Sequence, residues 1–126
     1  TGKDNEASLK FAYSSNNGKS FQTPKDLHGP VLDANHPNIE VIGDEAWVIF
    51  QGRDPIKEGG WGRVKAWLVR INSEADLSSP SSLPSTDGGV AYPYLFKGNG
   101  GRIYAMWTEI GKEGPHIILC RGRIVS

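Results

Sequence analysis

The sequence predicts an all-β chain of about seven or eight short antiparallel strands, on three observations. Asn17-Gly18 follows an apolar run, and Asn-Gly tolerates the positive φ angles of a tight hairpin turn. Two longer stretches, Pro37 to Phe50 and Pro93 to Trp107, repeat a single hairpin pattern. No long stretch carries a helical period, and 16 glycines, 8 prolines and 4 tryptophans suit short strands joined by tight turns.

Leu9-Lys10-Phe11-Ala12-Tyr13 reads as a strand entering the Asn17-Gly18 turn. Ser14, Asn16 and Ser20 can hydrogen-bond the backbone of that turn, and Phe21 can fold in beneath it as an apolar plug. Pro37 to Ile42 alternates with period two, turns at Gly43-Asp44 and continues as Ala46 to Phe50. A charged, glycine-bearing loop from Gly52 to Gly60 leads to a third strand, Val64 to Arg70. Ser73 to Gly89, rich in Ser, Pro and Asp, reads as a weak outer strand and a crossing. The order then repeats: Pro93 to Lys97, a turn at Gly98 to Gly101, Ile103 to Trp107, a loop at Gly111 to Gly114, and Ile117 to Arg121. Pro37 matches Pro93, Trp47 matches Tyr104 and Phe50 matches Trp107, an offset of about 56 residues that marks a repeat architecture.

The series Ser14-x-Asn16-x-Gly18-x-Ser20-Phe21 resembles the Asp-box, Ser-x-Asp-x-Gly-x-Thr-Trp, of sialidases and related β-propellers. Asn16 stands for the Asp, Ser20 for the Thr and Phe21 for the Trp. The resemblance implies propeller blades, with the box in the hairpin between a blade's third and fourth strands, away from the ligand side. On that frame, residues 1–30 form a half blade with the box hairpin, 31–88 a full four-stranded blade, and 89–126 the first three strands of a last blade. These are about two blades of a ring expected to have six. An open stack exposes strand edges and apolar faces, so remaining blades or copies of the chain are the expected partners.

Ala91-Tyr92-Pro93-Tyr94-Leu95, the Gly98 to Gly101 turn and Met106-Trp107 resemble the closing blade of Asp-box sialidases. In that family the tyrosine of the first motif is the nucleophile, activated by a glutamate from an earlier blade. The resemblance carries the nucleophile's place to Tyr92, and Glu109 lies one position beyond the family's second glutamate, with Thr108 at its place. A phenol with a pKa near 10 is a poor nucleophile without a basic partner. Pro93 replaces a family serine, and the family's acid/base Asp and most of its three-arginine clamp come from blades outside this stretch. The implied activity is therefore glycoside hydrolysis or glycan binding, with the catalytic set incomplete in this sequence. The alternative is a non-enzymatic lectin-like or protein-binding module that assembles as a homo-oligomer.

The ligand rim of such a fold is built from the starts of inner strands and the loops joining second to third strands. Here that rim holds Arg53, His36, Trp61 and Arg63 as substrate-binding candidates, with Asp54, Glu58 and Lys112 nearby. An arginine can fork onto a sugar carboxylate, and aromatic rings can pack on a sugar's apolar face, so a glycan or other small polar ligand is expected.

Composition narrows the partners. Fourteen basic and fourteen acidic residues balance, which offers no broad attraction to nucleic acid or an anionic membrane. No apolar run approaches the roughly 20 residues of a membrane-spanning helix. Cys120 is the single cysteine and reads as a buried thiol, with neither an internal disulfide nor a cysteine metal cluster. His28, His36 and His116 have no metal-ligand spacing, so neither metal nor cofactor is expected. Thr1 opens the chain without a leader pattern, as in a processed product, an excised fragment or an incomplete record. The family resemblance implies an extracellular or periplasmic setting.

Overall fold

The computed structural model describes residues 7–54, 63–84, 89–111 and 114–123. Nine strands run through them in three antiparallel sheets, and none of these residues is helical. The all-β class is the one the sequence predicts. The first sheet pairs β1 (Lys10–Phe11) with β2 (Lys25–Asp26). The second has the order β3 (Leu32–Ile42), β4 (Glu45–Arg53), β5 (Val64–Ile71), β6 (Ser81–Ser82). The third has the order β7 (Gly89–Lys97), β8 (Arg102–Gly111), β9 (Gly114–Arg123).

The sheets stack face to face because β4 is apolar on both sides. Val48 and Phe50 point to one core, together with Trp67, Val69 and Ile71 of β5 and with Leu9, Leu27, Val31 and Ala34. Trp47 and Ile49 point the other way, into a second core with Val90, Leu95, Ile103, Ala105 and Trp107 of the third sheet. Four successive buried residues, Trp47 to Phe50, therefore mark a strand covered on both faces rather than one half-exposed to water. Each fully buried side chain of this size contributes about 1.5–3 kcal/mol over its exposed state.

Several strands extend beyond the expected runs. β3 begins at Leu32, five residues before the alternation becomes regular. The cause is two breaks in its pairing with β4, between Leu32 and Asn35 and between Asn35 and Asn38. The run from Leu9 to Tyr13 keeps only a two-residue strand. β6 supplies the weak outer strand expected within Ser73 to Gly89, pairing Ser81 and Ser82 with Leu68 and Trp67. The burial expected of Cys120 on β9 lies outside the described side chains.

The stack leaves apolar surface at both outer sides. Ile39 and Val41 of β3 are each 59 % exposed beside a groove of about 320 Å³ that also takes in Phe11, Tyr13 and Val48. On the third sheet Tyr94 is exposed and continues through Phe96 to Tyr104, whose rings stack with centroids 4.9 Å apart.

Two consequences are measurable. A Cβ on Gly52 would lie 2.4 Å from Val31 Cγ1 and 3.1 Å from the Leu32 carbonyl oxygen. Val31 is fully packed and cannot yield, so Gly52→Ala is expected to destabilise the chain by about 1–3 kcal/mol in chemical denaturation. At the surface, Arg70 donates from Nε and Nη2 to Glu45 Oε1 at 3.0 and 2.6 Å and covers the Trp47 ring at 4.7 Å. The hydrogen bond from Arg70 holds the Glu45 carboxyl below its ordinary value of 4.5. A folded pKa lowered in this way supplies stability above the unfolded value and loses it as pH falls through the folded one. The melting-temperature difference between the wild type and Glu45→Gln should therefore be present at neutral pH and shrink as pH falls below the ordinary glutamate value. Melting curves across that acidic range check this.

Candidate functional site

β3 and β7 begin, and β4 and β8 end, at the same end of the stack. The first strand of each of these two sheets is interrupted there. β3 loses register around Asn35, and β7 skips between Ala91 and Tyr94. At each break one ring-bearing residue takes a left-handed backbone: His36 has φ 54° and Tyr92 has φ 55°. Proline follows each of them, Pro37 and Pro93, at matching places in the repeat. Asp33, within the first register shift of β3, is left-handed as well, with φ 52°. A side chain held in this region costs about 1–2 kcal/mol, and such cost concentrates where structure serves a site.

The two breaks face each other across the sheets. His36 and Tyr92 meet edge to face, with ring centroids 5.0 Å apart and planes at 89°. Both are exposed, Tyr92 by 67 %. Beneath them lie amides. Gln51, paired with Asn35 across β3 and β4, accepts the Tyr92 N–H at 2.9 Å through Oε1. Asn38 accepts the Leu95 N–H at 3.0 Å. Asn35 donates from Nδ2 to the Asp33 carbonyl at 2.8 Å, and its Oδ1 bonds His36 Nδ1.

The charged candidates are dispersed around this pair. Arg53 closes β4 and sits 3.8 Å from the Asp33 carboxylate, with its side chain about one-third exposed. Asp54 pairs with Lys65 at 2.7 Å, which neutralises it locally. Arg63 is exposed just before β5, its carbonyl accepting the Asp54 N–H at 3.4 Å. Trp61, Glu58 and Lys112 lie outside the described residues.

Glu109 has a different setting. β8 pairs with β9 without a break, so its side chains alternate evenly, and Glu109 follows Ile103, Ala105 and Trp107 onto the face turned to the second sheet. It pairs with Val90 and is only 3 % exposed. Tyr92 is thus exposed while Glu109 is buried in the row facing the second sheet. Burying a charged carboxylate without partners is costly, so its burial implies built-in satisfaction.

At the opposite end is the turn the sequence singles out. Ser14 Oγ accepts the Asn16 and Gly18 N–H groups at 3.3 and 2.8 Å and donates to Asn16 Oδ1 at 2.8 Å. Asn16 Oδ1 also accepts the Ser20 N–H at 3.0 Å, and its Nδ2 donates to Ser20 Oγ at 2.8 Å. Asn17 and Gly18 take positive φ angles of 60° and 84°, as Asn-Gly predicts. Phe21 departs from expectation. It is 63 % exposed and plugs nothing, because a two-residue pairing of β1 with β2 gives no sheet face beneath it.

A second turn of the same design follows β5. Asn72 Oδ1 accepts the N–H groups of Glu74 and Asp76, two and four residues on, as Ser14 Oγ does for Asn16 and Gly18. Ala75 is left-handed at φ 65°, in the place of Asn17. Sequence reading missed this copy because only the hydrogen-bond logic repeats, with neither the glycine nor the serine. It also missed Gln51 and Asn38, whose partners lie 41 and 57 residues away.

Comparison with known proteins found no protein-family model, no curated protein and no solved structure that matches the chain.

The left-handed backbone makes a direct prediction. Tyr92→Val places a β-branched side chain at φ 55° and should cost about 1–2 kcal/mol, whereas Tyr92→Asn, which tolerates that region, should cost little. Denaturant titration of the two variants separates the backbone demand from loss of the ring.

Proposed function

We propose that the three sheets are consecutive blades of a sialidase-like Asp-box β-propeller, whose rim at His36 and Tyr92 binds glycans. The observation that carries this reading is the matched pair of exposed, left-handed ring residues at equivalent breaks in two successive inner strands. Two rings above a bed of amides offer a surface for a sugar's apolar face and partners for its hydroxyls. Arg53, close to the same strand end, supplies a guanidinium suited to a sugar carboxylate. Support for the blade assignment comes from the two side-chain-braced turns, at Ser14 to Ser20 and at Asn72 to Asp76, each following a third-strand position at the end away from the rim.

In the enzymatic form of this proposal Tyr92 is the nucleophile, Glu109 the carboxylate beside it, and the acid/base comes from blades outside this chain. The burial of Glu109, with Tyr92 exposed, favours the second form, in which the rim of this chain binds without turnover, as a lectin-like or protein-binding module does. In both forms further blades, or copies of this chain, cover the exposed Ile39, Val41 and Tyr94. The proposed setting is extracellular or periplasmic, where such glycans are met.

The test uses the chain as it stands. A fluorogenic sialoside should give no hydrolysis above buffer, while a sialyl-oligosaccharide should shift the NMR signals of His36 and Tyr92 saturably. Tyr92→Ala should weaken that binding about tenfold, the order of one well-packed aromatic contact. Turnover that disappears in Tyr92→Phe would establish the enzymatic form. No shift at either ring with acidic or neutral oligosaccharides would overturn the glycan reading.

A further inference from the structure

We infer that Asn35 and Gln51 act as one positioning pair, setting the pose of both rim rings and fixing the imidazole proton of His36 on Nδ1. The inference begins with the donors left over by the strand breaks. Between Ala91 and Tyr94 of β7, Tyr92 and Pro93 have no partner on β8. Pro93 carries no N–H, so the interruption leaves a single backbone donor, that of Tyr92. Gln51 Oε1 takes it at 2.9 Å from the neighbouring sheet. Leu95, further along β7, is tied to the same sheet by Asn38. Gln51 therefore holds the backbone from which the Tyr92 ring projects, at a φ of 55° that tyrosine does not adopt by preference.

Asn35 lies directly across from Gln51 in the pairing of β3 with β4. Its amide can be oriented from its partners. A backbone carbonyl accepts only, so the group donating to the Asp33 carbonyl is Nδ2, and the side-chain oxygen faces His36. An oxygen there requires a donor on Nδ1. The neutral imidazole must then carry its proton on Nδ1 and keep Nε2 as a lone-pair acceptor. This is the less common tautomer of histidine in water, and its neighbour selects it. Together the two amides give the rim one exposed acceptor at His36 and one phenol at Tyr92, a pattern suited to ligands rich in hydroxyl groups. That last step rests on the glycan reading; the positioning itself does not.

The experiment needs no ligand. Nitrogen chemical shifts of His36, from long-range proton–nitrogen correlation spectra at a pH of about 8.5 where imidazoles are neutral, report the tautomer directly. The wild type should show the Nδ1–H form, and Asn35→Ala should revert to the Nε2–H form. Gln51→Leu should abolish the nuclear Overhauser contacts between the His36 and Tyr92 rings, whereas Gln51→Glu, which keeps an acceptor oxygen, should restore them. A merely structural role would lower stability in both Gln51 variants without that split. A wild-type His36 in the Nε2–H form, or ring contacts that persist in a folded Gln51→Leu, would overturn the inference. Neither result bears on sugar binding, which is measured separately by titration.

Discussion

The arrangement depends on β4 being buried on both faces. Val48 and Phe50 seal one core while Trp47 and Ile49 seal the other, so a single strand fixes the spacing and relative direction of three sheets. Side chains of successive residues leave a strand on opposite faces, so a one-residue slip would swap the two sets and place every large group against the wrong neighbour. The β3–β4 turn at Gly43-Asp44 and the unbroken eight-pair ladder between β4 and β5 hold the register against that slip. Every feature of the rim is then placed relative to a fixed reference, which is why Gln51, at the end of β4, can reach the backbone of another sheet.

Rigidity in the middle permits irregularity at the ends. The pairs Ile39–Val48 to Ile42–Glu45 are regular, whereas register is lost between Leu32 and Asn38. β7 shows the same division, regular from Tyr94 to Lys97 and broken just before. Breaks of this kind re-aim side chains and leave backbone donors unpaired. The second sheet answers with amides, which are neutral, carry both donor and acceptor, and add no charge beside the Arg53–Asp33 contact. The strained Tyr92 is thus supported from a neighbouring sheet rather than from its own ladder.

Much of this architecture is legible in the chain because its signals are local. The alternation of Pro37 to Ile42, the apolar run at Trp47 to Phe50 and the Asn17-Gly18 turn each locate an element within a few residues. The repeat of Pro37 with Pro93 also points to His36 and Tyr92 as matching positions. Their contact was not legible, because packing of one sheet on another brings together residues that share no local pattern. Gln51 reads in sequence as an ordinary polar residue at a strand end, and its role exists only through a partner 41 residues later. The burial of Glu109 follows from the even alternation of β8, which carries it into the row begun by Ile103.

The two ends of the stack use the same chemistry for different purposes. At Ser14 and Asn72 a side-chain oxygen gathers N–H groups two and four residues ahead, so each turn closes on itself and owes nothing to its neighbours. At Asn35, Asn38 and Gln51 the same kind of oxygen reaches a ring or a different sheet. A self-closed turn can recur from sheet to sheet with any sequence that keeps one acceptor, as Asn72 in the place of Ser14 shows. A cross-sheet brace cannot, since its acceptor must meet one particular N–H of the next sheet, as Gln51 and Asn38 meet those of Tyr92 and Leu95. Variation in this chain should therefore be tolerated at the braced turns and constrained at the rim, which is where a site would have to be kept.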